Sequence, residues 1–214
     1  FIFNDFSPFI RNVDLAVTNL ECPLTIATTA IDKIGPLLKA SHETAEALAY
    51  AGIDLVTLAN NHIMDYGLIG LTSTIEACSK NGIKYVGAGI NNGEARNFFI
   101  TEVGKYKVAF LNFSENEYST THGKAPGANP IDPVVNILDI VKAKTTVDFI
   151  IVIVHGGHEM HNLPSLRMKN ILRFFADAGA SAIFLHHAHY YSGYEVYNGV
   201  PIFYGLGNFV FDNP

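Results

Sequence analysis

Histidines are concentrated in three short segments of the chain, where several imidazoles could bind the same metal ion. Seven of the nine histidines lie within residues 58–67, 151–161 and 183–193, each time at the exit of an apolar run. Imidazole is the commonest protein ligand for transition metals. In an α/β fold, ligands from distant parts of the chain can converge at the ends of strands. The pattern therefore predicts a metal-dependent site.

The first candidate residues follow two predicted strands, at residues 13–19 and 53–59. Glu21 stands just after the first strand, and a carboxylate binds hard or borderline metals and can bridge two of them. Asn61 offers a neutral amide oxygen, and the neighbouring His62 can act in acid–base catalysis. Asp65 could orient that imidazole. The alternatives are an acidic loop residue at position 21 and a polar turn in which Asn61 caps a helix.

The remaining candidates are histidines at the ends of two later strands, at residues 148–154 and 181–185. His155 follows its strand without a spacer, and the two glycines after it allow a close approach of the backbone. His187 and His189 form a His-x-His pair, which places both side chains on one face of an extended segment. That arrangement suits two adjacent metals or one shared metal. His186 would point the other way, which indicates a structural role.

Composition limits the class of protein. The 214 residues fit one domain, and an apolar fraction of 49% with 16% charged residues is typical of a packed core. The net charge of -6 and the lack of a basic stripe argue against a nucleic-acid partner. The longest apolar run, residues 149–154, is far shorter than the roughly 20 residues that cross a bilayer, and no signal or anchor is expected within these 214 residues. The compartment, cell envelope or cytoplasm, stays open, and Cys22 and Cys78 are expected to be free thiols.

Strands and helices alternate along the sequence, which predicts an α/β fold. Helices are expected at residues 41–50 with Ser41 as N-cap, at 68–80, at 132–144 with its start at Asp132-Pro133, and at 164–178. In the last helix the apolar residues at helical spacing should face inward: Leu166, Ile171, Leu172, Phe174 and Phe175. Further strands are expected at 83–86, 98–103, 107–113, 195–197 and 201–204, with hairpins around Gly104-Lys105 and Asn198-Gly199. Residues 114–130 lack periodicity and are rich in Gly, Pro and polar residues. This segment is either a lid, with His122 and Lys124 contacting an anionic substrate, or a solvated mobile loop.

The order of the candidate residues resembles that of a known superfamily. An acidic residue, Asn-His, His and His-x-His, each after a strand, resembles the calcineurin-like metallophosphatases. More specifically, the chain is similar to the CapA family of bacterial capsule or poly-gamma-glutamate synthesis proteins. The matching motifs are Asn19-Leu20-Glu21, Asn60-Asn61-His62 with Asp65-Tyr66-Gly67, His155-Gly156-Gly157-His158-Glu159, His187-Ala188-His189 and Leu206-Gly207-Asn208-Phe209-Val210-Phe211-Asp212.

The resemblance implies a fold and a set of ligands. The fold would be a metallophosphatase-like two-sheet β-sandwich flanked by helices, a four-layer αββα arrangement within one domain, residues 1–214. The superfamily opens with a Gly-Asp block that supplies the first metal ligand; its absence leads us to expect a domain truncated at its N-terminus. The cofactor would be a divalent transition metal, one ion or two, with Mn, Fe or Zn suiting mixed nitrogen and oxygen ligands. By resemblance, Glu21 would bridge the ions, Asn61, His155 and His187 would hold one, His189 would hold the other, and His62 with Asp65 would be catalytic.

The resemblance also implies a function. The first hypothesis is a hydrolase acting on a phosphoester or related anionic substrate in capsule or poly-gamma-glutamate biosynthesis. The alternative is a non-catalytic accessory or polymer-binding protein in the same assembly. The partner would be an anionic small molecule or polymer (a phosphoester, polyglutamate or a polysaccharide precursor), with a membrane-associated synthesis complex as a further partner. The third hypothesis is a His-rich domain with a purely structural role.

Overall fold

Two main sheets organise the protein. A computed structural model describes residues 2–211, and within them the chain has a mixed α/β fold. The smaller main sheet is parallel and pairs, in spatial order, β1 (Val17–Asn19), β2 (Leu55–Thr57) and β3 (Lys84–Val86). The six-stranded sheet pairs β10 (Tyr194–Tyr197), β11 (Val200–Phe203), β9 (Ala182–His186), β8 (Phe149–His155), β6 (Tyr106–Ser114) and β5 (Phe99–Val103). A short two-stranded sheet pairs β4 (Ala88–Gly89) with β7 (Gly127–Ala128).

The helices lie between these strands, and their ends follow local capping chemistry. Their bounds are α1 (Ser7–Ile10), α2 (Glu43–Ala51), α3 (Gly67–Lys80), α4 (Asn92–Ala95), α5 (Pro133–Lys144) and α6 (Leu166–Ala178). The predicted start of α5 is confirmed, because the Asp132 side chain accepts hydrogen bonds from the Val134 and Val135 amides. The predicted cap at Ser41 is wrong, since α2 begins after His42 without a side-chain cap. None of the described helices has the length and apolarity needed to cross a bilayer.

Turn residues predicted the two hairpins well. β5 and β6 pair antiparallel around residues 104–105, and β10 and β11 pair around residues 198–199, as expected. The strands predicted at residues 13–19 and 53–59 are shorter than expected, at three residues each. The inward face predicted for α6 is partly wrong: Leu172 and Phe175 are buried, whereas Leu166 and Phe174 are exposed. Both cysteines are free thiols, as predicted.

Alternating side chains let each sheet pack on both faces. In β2, Val56 belongs to the core that also contains residues of α2 and α3. Its neighbour Leu55 belongs to a second core that contains Phe110 and Ile153 of the six-stranded sheet. The other face of that sheet packs on α5 and α6, in the core that includes Phe175. The two sheets therefore share one core, and each sheet also packs against helices.

A buried asparagine connects the two sheets beside the ends of β2 and β8. Asn112 of β6 is 1% exposed; its Oδ1 accepts from the Ala59 amide at 2.7 Å, and its Nδ2 donates to the Ile153 carbonyl at 3.1 Å. Gly87 makes room for it, because a Cβ there would lie 2.1 Å from Asn112 Oδ1. The link fixes the distance between the two chain segments that carry Asn61 and His155.

Candidate metal centre

Glu21 carries a half-buried carboxylate just after β1. Its Oε2 accepts a hydrogen bond from Asn19 Nδ2 at 3.1 Å, whereas its Oε1 is buried without a hydrogen-bond donor. That Oε1 lies 3.4 Å from His155 Nε2 and 3.7 Å from His189 Nε2. Burial raises the pKa of Glu21 to about 7. A carboxylate oxygen in this position is suited to bind a cation.

His155, the last residue of β8, is the centre of the cluster. Its Nε2 lies 3.1 Å from Asn61 Oδ1, 3.1 Å from His187 Nδ1 and 3.4 Å from Glu21 Oε1. One ring nitrogen carries at most one hydrogen, so hydrogen bonds alone cannot satisfy all these neighbours. Burial also holds the pKa of His155 well below its usual value, which keeps its nitrogens available as ligands. The ligand atoms of Glu21, His155 and His187 all lie within 4.8 Å of one another and could hold a metal ion.

The His-x-His pair reaches this cluster on a backbone different from the predicted one. β9 ends at His186, and the following His187 and His189 have φ angles of 100° and 58°, so the segment is not extended. Positive φ angles at residues other than glycine cost free energy and concentrate at functional sites. The two rings lie 6.3 Å apart, with His187 Nδ1 beside His155 and His189 Nε2 beside Glu21. His186 is not part of the group, and burial lowers its pKa to about 4.

His62 and Asp65 form a buried hydrogen-bonded pair next to the cluster. His62 Nδ1 lies 2.7 Å from Asp65 Oδ2, so the imidazole donates from Nδ1 to the carboxylate. Asp65 is fully buried and also accepts from the Leu38 amide at 2.7 Å. Asp65 therefore lies within hydrogen-bonding distance of the His62 ring that it was predicted to orient. The catalytic roles of both residues stay predictions.

Several residues around the site carried no signal that sequence reasoning used. Lys33 Nζ contacts Asp65 Oδ1 and lies 3.1 Å from His62 Nδ1, yet it belongs to a segment without periodicity. Glu117 Oε1 lies 3.5 Å from His187 Nε2, although its loop resembled a lid or a mobile segment. Glu159, quoted above only as part of a motif, lies 4.0 Å from the same nitrogen.

The residues of the last motif lie beside His189. Asn208 Oδ1 lies 2.9 Å from His189 Nδ1, and the ring of Phe211 lies 5.1 Å from the imidazole. Asp212, the last residue of that motif, lies outside the described residues. The motif therefore contributes a partner that orients one of the candidate ligands.

A cleft of about 480 Å³ opens over the cluster and holds both charge signs. The lining includes a segment around Lys33 and the carboxylates of Glu117 and Glu159. Its lining residues are Lys33, Ile34, Gly35, Pro36, Asn61, His62, Glu117, Tyr118, Gly157, His158, Glu159, His161 and His187. The positive charge of Lys33 is already paired with Asp65, so it does not balance the carboxylates of Glu117 and Glu159. A cation bound in the cleft would balance them.

The long segment at residues 114–130 is neither wholly a lid nor wholly a solvated loop. Its central residues Ser119, Thr120 and Thr121 are buried, and Ser119 Oγ donates to the Asn61 carbonyl at 2.8 Å. His122 and Lys124 are exposed and do not line the cleft, so their predicted contact with an anionic substrate is not supported by this arrangement. The segment instead supports the backbone of Asn61.

Relatives with similar sequences are named for capsule, PGA or polyglutamine synthesis. The capsule biosynthesis protein CapA of Bacillus anthracis is 35% identical over 99% of this chain, and the PGA biosynthesis protein CapA of Bacillus subtilis (strain 168) is 34% identical over 99%. A probable polyglutamine synthesis accessory protein of Mycobacterium tuberculosis is 29% identical over 93%. The chain spans about half the length of the two Bacillus relatives, 54% and 57%.

Two solved structures share the fold at low sequence identity. A hypothetical protein from Thermus thermophilus has a TM-score of 0.62 at 17% identity and covers 96% of this chain and 69% of its own. The sulfate thiohydrolase SoxB of the same organism has a TM-score of 0.53 at 14% identity and covers 78% of this chain and 30% of its own. These similarities indicate the fold alone, which this chain shares with SoxB.

The sequence model of one family covers almost the whole chain. The family is described as bacterial capsule synthesis protein PGA_cap, and its model matches residues 1–213. Together with the relatives named CapA, this match confirms the predicted resemblance. The chain belongs to the PGA_cap family of bacterial capsule synthesis proteins.

Proposed function

We propose that the protein is a metal-dependent hydrolase of the CapA type that acts on a phosphoester or a related anionic substrate in capsule or poly-gamma-glutamate biosynthesis. The observation that supports this most is the convergence on His155 Nε2 of Asn61 Oδ1, His187 Nδ1 and Glu21 Oε1. The core that joins the two sheets supports the four-layer αββα arrangement that we propose with it.

The donor set fits a divalent transition metal. Two imidazoles, one amide oxygen and one carboxylate suit Mn²⁺, Fe²⁺ or Zn²⁺ better than Mg²⁺. Glu21, Asn61, His155 and His187 would hold one ion, and the buried, unpartnered Glu21 Oε1 supports this assignment. His189 would hold a second ion that shares Glu21, because this carboxylate oxygen also lies 3.7 Å from His189 Nε2. When bound, such ions supply Lewis-acid stabilisation of an anionic transition state and a more acidic water.

His62 would be the acid–base residue beside the reacting bond. Its Nδ1 hydrogen bonds to Asp65, so Nε2 is the ring nitrogen that can exchange a proton with a leaving oxygen. Asp65 would keep the ring in this tautomer and orientation, as carboxylates behind histidines do. The position of His62 on the wall of the cleft supports this role.

A second candidate function is a non-catalytic accessory protein that binds polymer or partner enzymes in the same assembly. It is favoured by the name of the Mycobacterium tuberculosis relative, a probable polyglutamine synthesis accessory protein. Both candidates share the expected partners: a polyglutamate or polysaccharide precursor, or the polymer itself, and a membrane-associated synthesis complex. Only the hydrolase would turn over a substrate, and only the hydrolase would need His62 as an acid–base residue beside the metal ligands.

The proposed function is tested by elemental analysis of the purified protein together with a generic phosphatase assay in added Mn²⁺. We expect bound transition metal and turnover in the wild type, and loss of both in His187→Ala and in Asn61→Ala. His122→Ala, at an exposed site outside the cleft, is the matched control. Bound metal without turnover on phosphoesters or polyglutamate would favour the accessory role, and unchanged metal content in both ligand variants would refute the site.

A further inference from the structure

Lys33 is a buried lysine that the proposed chemistry does not use. Its side chain is only 4% exposed, although it belongs to residues 25–39, which contain no helix and no strand. Burying an ammonium group costs free energy unless it is paired. The pairing here is specific, because Lys33 Nζ contacts Asp65 Oδ1 and lies 3.1 Å from His62 Nδ1.

The contacts of Asp65 explain what Lys33 contributes. Asp65 Oδ2 accepts from His62 Nδ1 at 2.7 Å and from the Leu38 amide at 2.7 Å, and Lys33 donates to the other oxygen, Oδ1. The two oxygens are thus held from different sides, which fixes the plane of the carboxylate. Without Lys33, Oδ1 would be buried with no donor, and the carboxylate would gain by rotating away from the imidazole.

The backbone and the carboxylate of Asp65 together anchor one wall of the cleft. The Ile31 amide donates to the Asp65 carbonyl at 2.9 Å, so Ile31, Lys33 and Leu38 all bind Asp65. Between them, Ile34, Gly35 and Pro36 line the cleft. Lys33 therefore belongs to the wall that would face a substrate, and through Asp65 it is connected to the imidazole that would act on that substrate.

We propose that Lys33 is a positioning residue that fixes the orientation of the Asp65–His62 pair. We do not assign Lys33 to a direct contact with an anionic substrate, because its side chain is buried and its Nζ donates to Asp65 Oδ1. Lys33 acts through Asp65 to keep His62 Nδ1 bound and Nε2 on the opposite side of the ring. Its effect on turnover rests on the proposed function, whereas its effect on the imidazole does not.

The first test observes the imidazole directly. Long-range ¹H–¹⁵N spectra of the metal-free protein report the tautomer and the Nδ1 hydrogen bond of His62, whose signals are assigned with His62→Gln. We expect Lys33→Met to shift the ¹⁵N resonance of Nδ1 and to mix the tautomers, and Lys33→Arg to restore part of the wild-type pattern. Lys39→Met is the control, since Lys39 lies in the same segment but donates to the Ala27 carbonyl. Lys33→Gln serves the same comparison if Lys33→Met does not fold.

The second test is kinetic. In protein loaded with Mn²⁺, Lys33→Met should lower kcat by about 10- to 100-fold, the usual effect of losing a group that orients a reacting residue, with unchanged metal content. Lys39→Met should retain wild-type turnover. His62 resonances identical in Lys33→Met and the wild type would overturn the proposal. A wild type without turnover would contradict the proposed function, and the spectra would still decide the role of Lys33.

Discussion

Two glutamates, each within a cluster of polar side chains, differ in how many hydrogen bonds their carboxylate oxygens accept. Glu195 of β10 accepts from Arg173 Nε at 2.8 Å, from Arg173 Nη2 at 2.6 Å and from the Tyr204 hydroxyl. These hydrogen bonds, chiefly from Arg173, hold the pKa of Glu195 near 2. Glu21 has an unpartnered oxygen, and burial raises its pKa to about 7.

The difference separates a cluster that stabilises the fold from one that is suited to bind a ligand. The Glu195 cluster is complete with protein groups alone, and it joins α6 to the edge of the six-stranded sheet. The Glu21 cluster gathers acceptors and neutral imidazoles around one nitrogen, which costs free energy until a cation compensates for it. Variants of the two clusters should therefore have opposite effects on metal binding and on stability.

The largest expected effect is on metal affinity. His187→Ala removes a nitrogen that lies 3.1 Å from His155 Nε2, and we expect Mn²⁺ or Zn²⁺ affinity to fall by more than about 100-fold. The metal-free variant should be as stable as the wild type or more stable, because crowding of unsatisfied groups is relieved. Calorimetric titration with metal and chemical denaturation measure the two quantities. A strongly destabilised metal-free variant would remove the contrast between the clusters.

The link between the sheets should affect both stability and metal binding. Asn112→Leu removes the acceptor of the buried Ala59 amide and one donor to the Ile153 carbonyl, so the free energy of unfolding should fall by about 1–3 kcal/mol. Metal affinity should fall by about 10-fold, since Asn61 would no longer be held next to His155. Urea denaturation and metal titration give both values. Asn136→Leu, another buried asparagine far along the chain, should destabilise without changing metal affinity.

In the complete cluster, a similar deletion should affect stability alone. Arg173→Met keeps the apolar stem but removes both Arg173 donors to Glu195, and we expect only a small loss in the free energy of unfolding because solvent screens this exposed pair. Metal content should equal that of the wild type. Loss of metal from this variant would show that the two clusters are coupled.

The smallest expected effect is a pH dependence. The pKa of Glu195 is about 2 in the folded protein, below the ordinary 4.5. A depressed carboxyl pKa contributes stability above pH 4.5 that is lost as the pH falls toward 2. The stability difference between the wild type and Glu195→Gln should be constant above pH 5 and shrink at lower pH, measured by denaturation at a series of pH values. A difference that grows on acidification would contradict the assigned pairing.

Much of the fold could be predicted because its signals are local. Asp132-Pro133 predicted the start of α5, and turn residues such as Asn198-Gly199 predicted the hairpins. Strand lengths were overestimated because apolar residues continue past the hydrogen-bonded part, as in residues 53–59. The exposure of Leu166 and Phe174 was missed because helical spacing alone does not show which face a sheet covers.

The site was predictable where a motif directly follows a strand, and not where the partner comes from an irregular segment. Glu21, His155 and His187 converge because parallel strands bring their carboxyl ends together. The left-handed backbone of His187 and His189 was not predicted, since it depends on the packing of the segment after β9. Lys33 was missed because a lysine in an irregular segment is usually solvated.

The central claim is that Glu21, Asn61, His155 and His187 bind one metal ion together. The most direct test is a crystal structure of the protein grown with Mn²⁺, with anomalous diffraction recorded at the metal edge. We predict a peak at a coordination distance of about 2.0–2.3 Å from ligand atoms of all four residues. An anomalous map with no peak among them, or with the metal bound only elsewhere on the protein, would contradict the account.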